Sequence, residues 1–227
     1  MISKFKFNTQ HILINLPPHE RDLLEENMYA KKYRKNQSVF TANTLPTGIF
    51  YIKTGKVKKF KVDHEGREQI IYIYNEGEFF RYSAVLSESS YSDSVVAIEN
   101  STIAFISKEA FNTILDSSAT FTRLLLKSLS HEFSVLANLM AVLSQRTVRE
   151  RVALSLLILE DKYTGIDKEL PALITLSRTD LANMAGTVLE TLARVLHDFK
   201  QEDLIQIHAR KIEIMDSDRL CAVANFY

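Results

Sequence analysis

The sequence is poor in cysteine, and its 227 residues include only Cys221. A single cysteine excludes a disulfide within the chain. It also excludes any zinc or iron–sulfur site that draws several cysteine ligands from one chain. We therefore interpret Cys221 as a structural thiol, and we do not expect an iron–sulfur cofactor.

Long apolar runs are also missing. The longest lies near Val152–Leu159, which is far short of the roughly 20 residues that a membrane-spanning helix needs. The first residues, MISKFKFNTQ, lack the apolar core of a secretory signal peptide. These absences predict a soluble, cytoplasmic protein that has no membrane partner.

The chain has no excess of either charge. Lysine and arginine together number 28, aspartate and glutamate number 28, and the formal net charge is zero. From Val148 onward, acidic residues outnumber lysine and arginine. Such a chain has no molecule-wide positive field to attract nucleic acid. Any binding to DNA must therefore depend on the local placement of cationic side chains.

Hydrophobic residues make up 46% of the chain, which is enough for packed cores, and two small domains fit the pattern better than one. Residues 8–30 predict short helices around Pro17 and Pro18. Strand-like segments follow without intervening helices, a pattern typical of an antiparallel sandwich or barrel. The predicted strands are Ile49–Ile52, Lys56–Val62, Gln69–Tyr74, Val95–Ile98 and Thr102–Ile106.

A long helix is predicted next, from Lys108 or Ser118 to Leu143. Apolar residues spaced alternately 3 and 4 apart form a heptad seam on it, namely Leu126, Leu129, Phe133, Leu136, Met140 and Leu143. A second apolar stripe lies on another face, at Leu124, Leu125, Val135, Leu139 and Val142. We expect one stripe to pack on the strands and the other to form a homodimer. The alternative is that both stripes are buried within a monomer.

The apolar pattern of the long helix is interrupted at residues 144–147, which form the predicted hinge. Thr147 is expected to cap the next helix, which begins with the segment from Arg149 to Leu159. A C-terminal domain therefore starts here.

Two short helical patterns then meet at Gly186, within the segment Ser177–Leu196. Ser177 with Asp180 forms an N-cap signature for the first helix. Thr187-Val188-Leu189-Glu190 predicts a capping box for the second helix. The arrangement indicates a helix-turn-helix, although helical hairpins with a glycine turn also occur in proteins that do not bind DNA.

A wing is predicted directly after these helices. The stretches Leu204–Ile207 and Ile212–Met215 alternate like two short strands around the polar turn His208–Lys211. The adjacent cations Arg210 and Lys211 are therefore placed where they could meet phosphates.

This order of parts resembles the cyclic-AMP receptor and fumarate–nitrate regulator (CRP/FNR) family of bacterial transcription factors. The resemblance covers nearly the whole chain. The segments that resemble the family are GIFYIKTGKVKKFKVDHEGREQIIYIYNEGEFF, the long helix, RERVALSLL, and LSRTDLANMAGTVLETLARVLHDFKQEDLI. It implies an α+β fold with an N-terminal antiparallel β-roll, a cyclic-nucleotide-binding-like jelly roll that acts as sensor, at 1–117. A dimerisation helix and hinge would occupy 118–146, and a winged helix-turn-helix that binds DNA would occupy 147–227.

The resemblance also implies which residues read bases. The family pattern Arg/Val-Glu-x-x-x-Arg falls on Leu189, Glu190 and Arg194. Glu190 can accept from a cytosine amino group, and Arg194 can donate to guanine O6 and N7. Leu189 departs from the Arg form and offers only apolar contact, for example to a thymine methyl. Ala193 replaces a serine of the fumarate–nitrate type.

Other positions in this region resemble phosphate contacts. The predicted DNA-binding residues are Arg178, Thr179, Thr187, Val188, Leu189, Glu190, Arg194, Arg210 and Lys211. The alternatives are that Glu190 is only a capping residue and that the cations are ordinary solvated charges.

The sensor half departs from the cyclic-AMP binders of the family. Their Gly-Glu-hydrophobic-Gly turn falls on Arg81–Ala84, their Arg-Ser pair falls near Ser92-Asp93, and their Thr-Ser of the dimer helix falls on Leu136-Ala137. The glycine, the glutamate and the phosphate-pairing arginine are all missing, so cyclic AMP is not expected. The candidate effector pocket comprises Phe79, Arg81, Tyr82, Ser83, Ser92, Asp93 and Leu136.

Other interpretations of the sensor residues stay open. The apolar residues could simply fill the roll, and Arg81 could form a surface salt bridge to Glu78 or Asp93. Haem remains a minor alternative because His11, His19, His64 and His131 lie in this half without ligand-like spacing. The effector is therefore unknown.

The sequence as a whole predicts a homodimeric transcriptional regulator. It would bind a pseudo-palindromic double-stranded DNA operator whose half-sites lie roughly 34 Å apart. By resemblance, the loop Tyr163–Pro171 could contact RNA polymerase. The alternative function is a ligand-binding or protein-interaction module. The sequence offers no catalytic constellation, so an enzyme is not expected.

Overall fold

The computed structural model describes residues 2–164 and 171–225. Its internal contacts divide the chain into two compact units. One is Phe7–Ser134, and the other joins Met1–Lys6 to Val135–Tyr227. The α+β class expected from the sequence is confirmed. The division into three domains, with boundaries at 117 and 146, stays a prediction.

The unit Phe7–Ser134 is built mainly from antiparallel strands. Its elements are α1 (His11–Asn15), α2 (Pro18–Glu26), β1 (Tyr29–Tyr33), β2 (Ser38–Phe40), β3 (Gly48–Thr54), β4 (Val57–Val62), β5 (Glu68–Tyr74), β6 (Phe79–Phe80), α3 (Tyr82–Leu86), β7 (Ser94–Ala97), β8 (Ser101–Ser107), α4 (Lys108–Ser117) and the start of α5 (Ala119–Gln145). All five strands predicted from alternation are present. The sequence pattern missed β1, β2 and β6, because β1 is almost wholly exposed and the other two are very short.

The strands form two four-stranded sheets, in the orders β1-β8-β3-β6 and β2-β7-β4-β5. Every pairing is antiparallel. Aromatic side chains pack within this unit: Phe50 stacks on Phe80 with ring centroids 5.3 Å apart, and Tyr74 stacks on Phe80 at 5.1 Å. The roll therefore has a continuous aromatic core.

The long helix begins later than Lys108. Residues 108–117 form the separate helix α4, and Ser118 leaves helical geometry with ψ 100°. The Ser118 hydroxyl then accepts from the backbone N–H of Phe121 at 2.9 Å. Because this bond satisfies an N–H of the first turn, Ser118 starts a new helix, and α5 runs unbroken to Gln145.

The second unit contains the remaining elements. They are a short 3₁₀ helix (Ile2–Phe5), the C-terminal part of α5, α6 (Val148–Tyr163), β9 (Leu173–Ile174), α7 (Arg178–Ala185), α8 (Leu189–Gln201), β10 (Ile205–His208), β11 (Lys211–Ile214) and α9 (Ser217–Ala224). Strand β11 pairs with both β10 and β9, so the wing hairpin belongs to a three-stranded sheet. The sequence did not predict β9 or α9.

Two helix starts in this unit test the predicted caps. Thr147 caps α6, as expected, and the Glu150 carboxylate, which the sequence did not single out, completes a capping box. The capping box expected at Thr187 and Glu190 is wrong. Val188 is the N-cap of α8 and makes no side-chain cap bond, so Thr187 lies one residue before the N-cap.

No helix in the described segments is long and apolar enough to cross a membrane.

Candidate nucleic-acid interface

The turn between α7 and α8 has the geometry of a helix-turn-helix. Ser177 caps α7 by accepting from the backbone N–H of Asp180 at 3.0 Å. Gly186 ends α7 in the left-handed region, with φ 62° and ψ 48°, a conformation that favours glycine. Leu181, Ala182 and Ala185 are buried on α7. The small side chains of Ala182 and Ala185 let another helix cross closely.

Arg151 of α6 holds this turn in place. Its guanidinium donates to the carbonyl oxygens of Ala185 at 2.7 Å, Gly186 at 2.9 Å and Arg146 at 2.8 Å. One side chain therefore joins the hinge at Arg146 to the turn before α8. The sequence analysis did not identify Arg151, which lies within the segment RERVALSLL. The signal that could have identified Arg151 is that it is an arginine in the first turn of an otherwise largely buried helix.

Helix α8 separates a buried stripe from an exposed reading face. Leu192, Val195, Leu196 and Phe199 are buried against the unit's core. At the exposed N-terminal end, Val188 is 62% exposed and Leu189 is 47% exposed. Glu190 and Arg194 are also exposed.

This face combines two apolar side chains, one acceptor and one five-donor guanidinium. Such a set can contact thymine methyls, cytosine and guanine in a major groove. The residues predicted to read bases are thus together on one helix end. No ion pair engages Arg194 within the described segments.

The wing has a tighter turn than the sequence indicated. His208 pairs with Lys211 across β10 and β11, which leaves only Ala209 and Arg210 in the turn. Ala209 adopts a positive φ of 54°. Arg210 and Lys211 are both exposed, whereas His208 lies 2.9 Å from the carboxylate of Glu213. The two wing cations are therefore available to phosphates.

The remaining predicted DNA contacts differ in accessibility. Thr179 is exposed on α7, and Thr187 is half-buried in the turn. Arg178 is also half-buried, and its Nη1 atom is buried without a hydrogen-bond partner among the described residues. The segment predicted to contact RNA polymerase falls largely outside the described residues, since Gly165–Leu170 are not among them.

The seven candidate effector residues differ in burial. Ser83 and Ser92 are exposed, Leu136 is half-buried, and Phe79 is fully buried in an apolar core cluster. Only Arg81 and Asp93 come together as a charged pair. The seven residues therefore do not share one environment.

Arg81 and Asp93 form a buried ion pair. The Arg81 guanidinium donates to a carboxylate oxygen of Asp93 at 2.7 Å and to its backbone carbonyl at 2.8 Å. The same guanidinium lies 3.7 Å from the ring centre of Phe40 and 3.8 Å from that of Tyr91. A salt bridge to Asp93 was one open interpretation, but its surface location is wrong because both side chains are only 5% exposed.

A second buried polar pair links α3 to α5. The Tyr82 hydroxyl donates to the Glu132 carboxylate. Burial raises the pKa of the Glu132 carboxyl to about 7, while the Tyr82 hydrogen bond and Lys59 oppose the rise. Sequence reasoning missed Glu132 because a lone acidic residue between two apolar stripes resembles a solvated position. In the described part of the chain, no group of three or more His, Cys, Asp or Glu side chains could hold a metal ion.

The two apolar stripes of α5 differ sharply in exposure. Leu125, Val135 and Val142 of the second stripe are buried. In the heptad seam, Phe133 is 76% exposed and Met140 is 69% exposed. Leu126 and Leu143 are exposed as well, whereas Leu129 and Leu136 are half-buried. The interpretation that both stripes are buried within one chain is therefore wrong.

Comparison with known proteins places both halves of the chain in one family. Residues 30–118 match the model of the cyclic nucleotide-binding domain, and residues 150–223 match that of the Crp-like helix-turn-helix domain. Transcriptional activator protein Anr of Pseudomonas aeruginosa is 26% identical over 213 residues, which are 93% of this chain and 87% of that protein. The cyclic AMP receptor protein of Thermus thermophilus is 25% identical over 209 residues, or 92% of this chain and 94% of that protein.

The solved structures agree on the fold. The structure of FixK2 from Bradyrhizobium japonicum superposes with a TM-score of 0.77 at 22% identity, covering 86% of this chain and 96% of that chain. With a β-roll matched by one domain model and a winged helix-turn-helix matched by the other, the chain belongs to the CRP/FNR family of DNA-binding transcriptional regulators.

Proposed function

We propose that this protein is a cytoplasmic, homodimeric regulator that reads a pseudo-palindromic DNA operator. The observation that carries the proposal is the exposed N-terminal end of α8. There, Glu190 and Arg194 stand free of the packed stripe, beside Val188 and Leu189. Because base edges are read by hydrogen bonds and apolar contacts in the major groove, this face fits sequence-specific readout. The function needs no catalytic step.

The wing supplies the nonspecific part of the affinity. Arg210 and Lys211 are exposed at its turn, and Thr179 is exposed at the start of α7. Such groups contact phosphates and fix the position of the recognition helix on the duplex. Because the chain has zero formal net charge, these local cations carry the electrostatic attraction. Binding should therefore weaken as salt is added.

Homodimerisation would proceed through the seam of α5. Phe133 and Met140 are large apolar side chains that are mostly exposed in the single chain. A continuous apolar stripe of this kind is costly in water and is typical of a protein–protein interface. Two copies joined along α5 would present two recognition helices, which matches a two-fold operator. Replacing Phe133 with Glu should give a monomer in sedimentation, whereas the exposed Lys127→Glu serves as the control.

The β-roll is not suited to cyclic AMP. The buried arginine of its candidate pocket, Arg81, already donates two hydrogen bonds to Asp93. An incoming phosphate would have to displace that carboxylate and leave Asp93 buried without its arginine partner. We propose that the regulator responds to an effector other than cyclic AMP or to none. Contact between the segment 163–171 and RNA polymerase stays a prediction from the sequence.

Selection of bound duplexes from a random library tests the function. The purified full-length protein is used at two salt concentrations, with and without cell extract. A palindromic consensus without extract supports a regulator that needs no added effector. A consensus that appears only with extract supports one controlled by a diffusible ligand. No enrichment under either condition would overturn sequence-specific binding and favour an interaction module.

A further inference from the structure

A cleft lies between the recognition helix and the wing. It has a volume of about 400 Å³ and is bounded by α8 on one side and by Ile207 and Ala209 on the other. Volumes of roughly 300–1,000 Å³ are typical of sites that bind small molecules. The cleft is therefore large enough for a compact ligand.

The lining of the cleft is amphipathic. Leu192 and Leu196 are buried, and Leu189 and Ile207 add further apolar surface. Three nitrogen-bearing side chains also line it, Arg178, His197 and Lys200. No carboxylate is among the lining residues. An apolar body with one negative end would match both parts of this surface.

Arg178 is the group that points to an anion. Its Nη1 atom is buried, and the described residues offer it no hydrogen-bond partner. Burial lowers the pKa of this guanidinium. A buried charged donor without a partner is costly, and a carboxylate that accepted from it would remove that cost. Lys200 likewise forms no ion pair within the described segments.

We propose that this cleft binds a small amphipathic carboxylate. The carboxylate would accept from Arg178 and Lys200, and the apolar body would lie against Leu192, Leu196 and Ile207. Leu189 lines the same cleft and belongs to the proposed base-reading face. A bound ligand and an operator would therefore exclude each other. This consequence rests on the proposed function, but the binding itself does not.

Direct binding is measured with decanoate on the full-length protein in the absence of DNA, below the micellar concentration. Decanol is the matched neutral probe. Inorganic phosphate is the matched anion that lacks an apolar tail. We expect decanoate to bind at least tenfold more tightly than either. Calorimetry gives the affinities, and the methyl resonances of Ala193 and Ala209 report the place of binding.

Three variants locate the site. Arg178→Met should weaken decanoate binding at least tenfold, because the partnerless guanidinium is lost. Ala193→Phe should abolish binding by filling the cleft from an exposed position. Lys211→Met removes a nearby cation that does not line the cleft, and it should leave decanoate binding within twofold of the unmodified protein. Far-UV circular dichroism checks that each variant is folded.

The outcomes separate this inference from the proposed function. Equal binding of decanoate and decanol, or an unchanged affinity in Arg178→Met, would overturn the carboxylate site. Binding of phosphate as tight as that of decanoate would also overturn it and would assign Arg178 to the DNA backbone. If decanoate binds as expected but no operator is selected, the site stands and the regulator function fails. If an operator is selected and decanoate does not bind, the regulator function stands and the carboxylate site fails.

Discussion

Two arginines, Arg81 in the β-roll and Arg194 in the C-terminal unit, have opposite roles in this protein. In the β-roll, Arg81 is buried, sandwiched between two aromatic rings and paired with Asp93. On the recognition helix, Arg194 is exposed, and the described residues provide it no ion pair. A charge that is already neutralised and desolvated is part of the core, whereas an exposed charge on a rigid helix is available to a partner. The difference favours the C-terminal unit as the binding surface.

The largest effect is expected from breaking the buried Arg81–Asp93 ion pair of the β-roll. Asp93→Ala leaves the Arg81 guanidinium buried without its carboxylate, and we expect a loss of about 3–5 kcal/mol in the free energy of unfolding. Urea titration followed by far-UV circular dichroism measures it, since the chain has no tryptophan. The double variant Arg81→Met/Asp93→Leu should recover only part of the loss, because Lys59 also loses its ion pair with Asp93, at 3.6 Å. If Asp93→Ala changes stability by less than 1 kcal/mol, the pair is not structural.

A pH effect tests the second buried pair. Below about pH 4.5, Glu132 is protonated in the folded and unfolded chains alike. The pKa of Glu132 in the folded chain is about 7. Between about pH 4.5 and pH 7, Glu132 therefore loses its proton only in the unfolded chain. Stability is therefore lost as pH rises through this window, by about 3 kcal/mol in all.

Glu132→Gln should remove this loss. We expect its advantage over the unmodified protein to grow between pH 5 and pH 7.5 in urea titrations. Glu76→Gln, at an exposed position, is the matched control and should show no such trend. An advantage for Glu132→Gln that is constant with pH would show that the carboxyl titrates at its ordinary value.

The helix-turn-helix should respond to loss of its internal clamp. Arg151→Ala removes three hydrogen bonds to carbonyl oxygens of the hinge and the turn, and it should cost about 2 kcal/mol of stability. Operator affinity should fall with it, because the start of α8 loses its support. Arg151→Lys cannot reach all three carbonyls and should recover only part. Hydrogen exchange of the α7–α8 turn gives the local readout, and unchanged protection would contradict the clamp.

A wing cation should have the smallest effect. Arg210→Ala removes one exposed charge, so affinity should weaken by a similar factor on every DNA sequence. The slope of the logarithm of affinity against the logarithm of salt concentration should fall by about 1. Titrations at several salt concentrations on the operator and on unrelated duplex measure both values. A loss confined to one base pair would instead mean that Arg210 reads sequence.

Much of the fold was readable from the sequence because its signals are local. Alternation located β3, β4 and β5, and the residue Gly186 marked the turn before the recognition helix. The same pattern failed at β1, whose first four residues are exposed on both faces. Such a strand is fixed by its pairing with β8, which the sequence does not display.

The candidate sites were less predictable because they depend on partners distant in the chain. Tyr82 and Glu132 are 50 positions apart in the sequence, so no local pattern reveals their hydrogen bond. Thr187 and Glu190 have the sequence of a capping box. However, α8 begins at Leu189, so Thr187 is not the N-cap residue. By contrast, the family pattern that marks Glu190 and Arg194 lies within one short helix, and the structure exposes both side chains. A local motif and its resemblance to the family thus located the candidate reading face, and long-range pairing determined the interior of the roll.

The most direct measurement is the affinity of the full-length protein and of Arg194→Ala for the selected operator and its single-base variants. We expect Arg194→Ala to lose about 1–3 kcal/mol of binding free energy on the operator. The Arg194→Ala protein should also bind equally well to operators that differ only at the base pair read by Arg194 in each half-site. The free energy of unfolding of the variant should stay unchanged. An Arg194→Ala protein that keeps the affinity and the base preference of the unmodified protein would contradict sequence readout by this face.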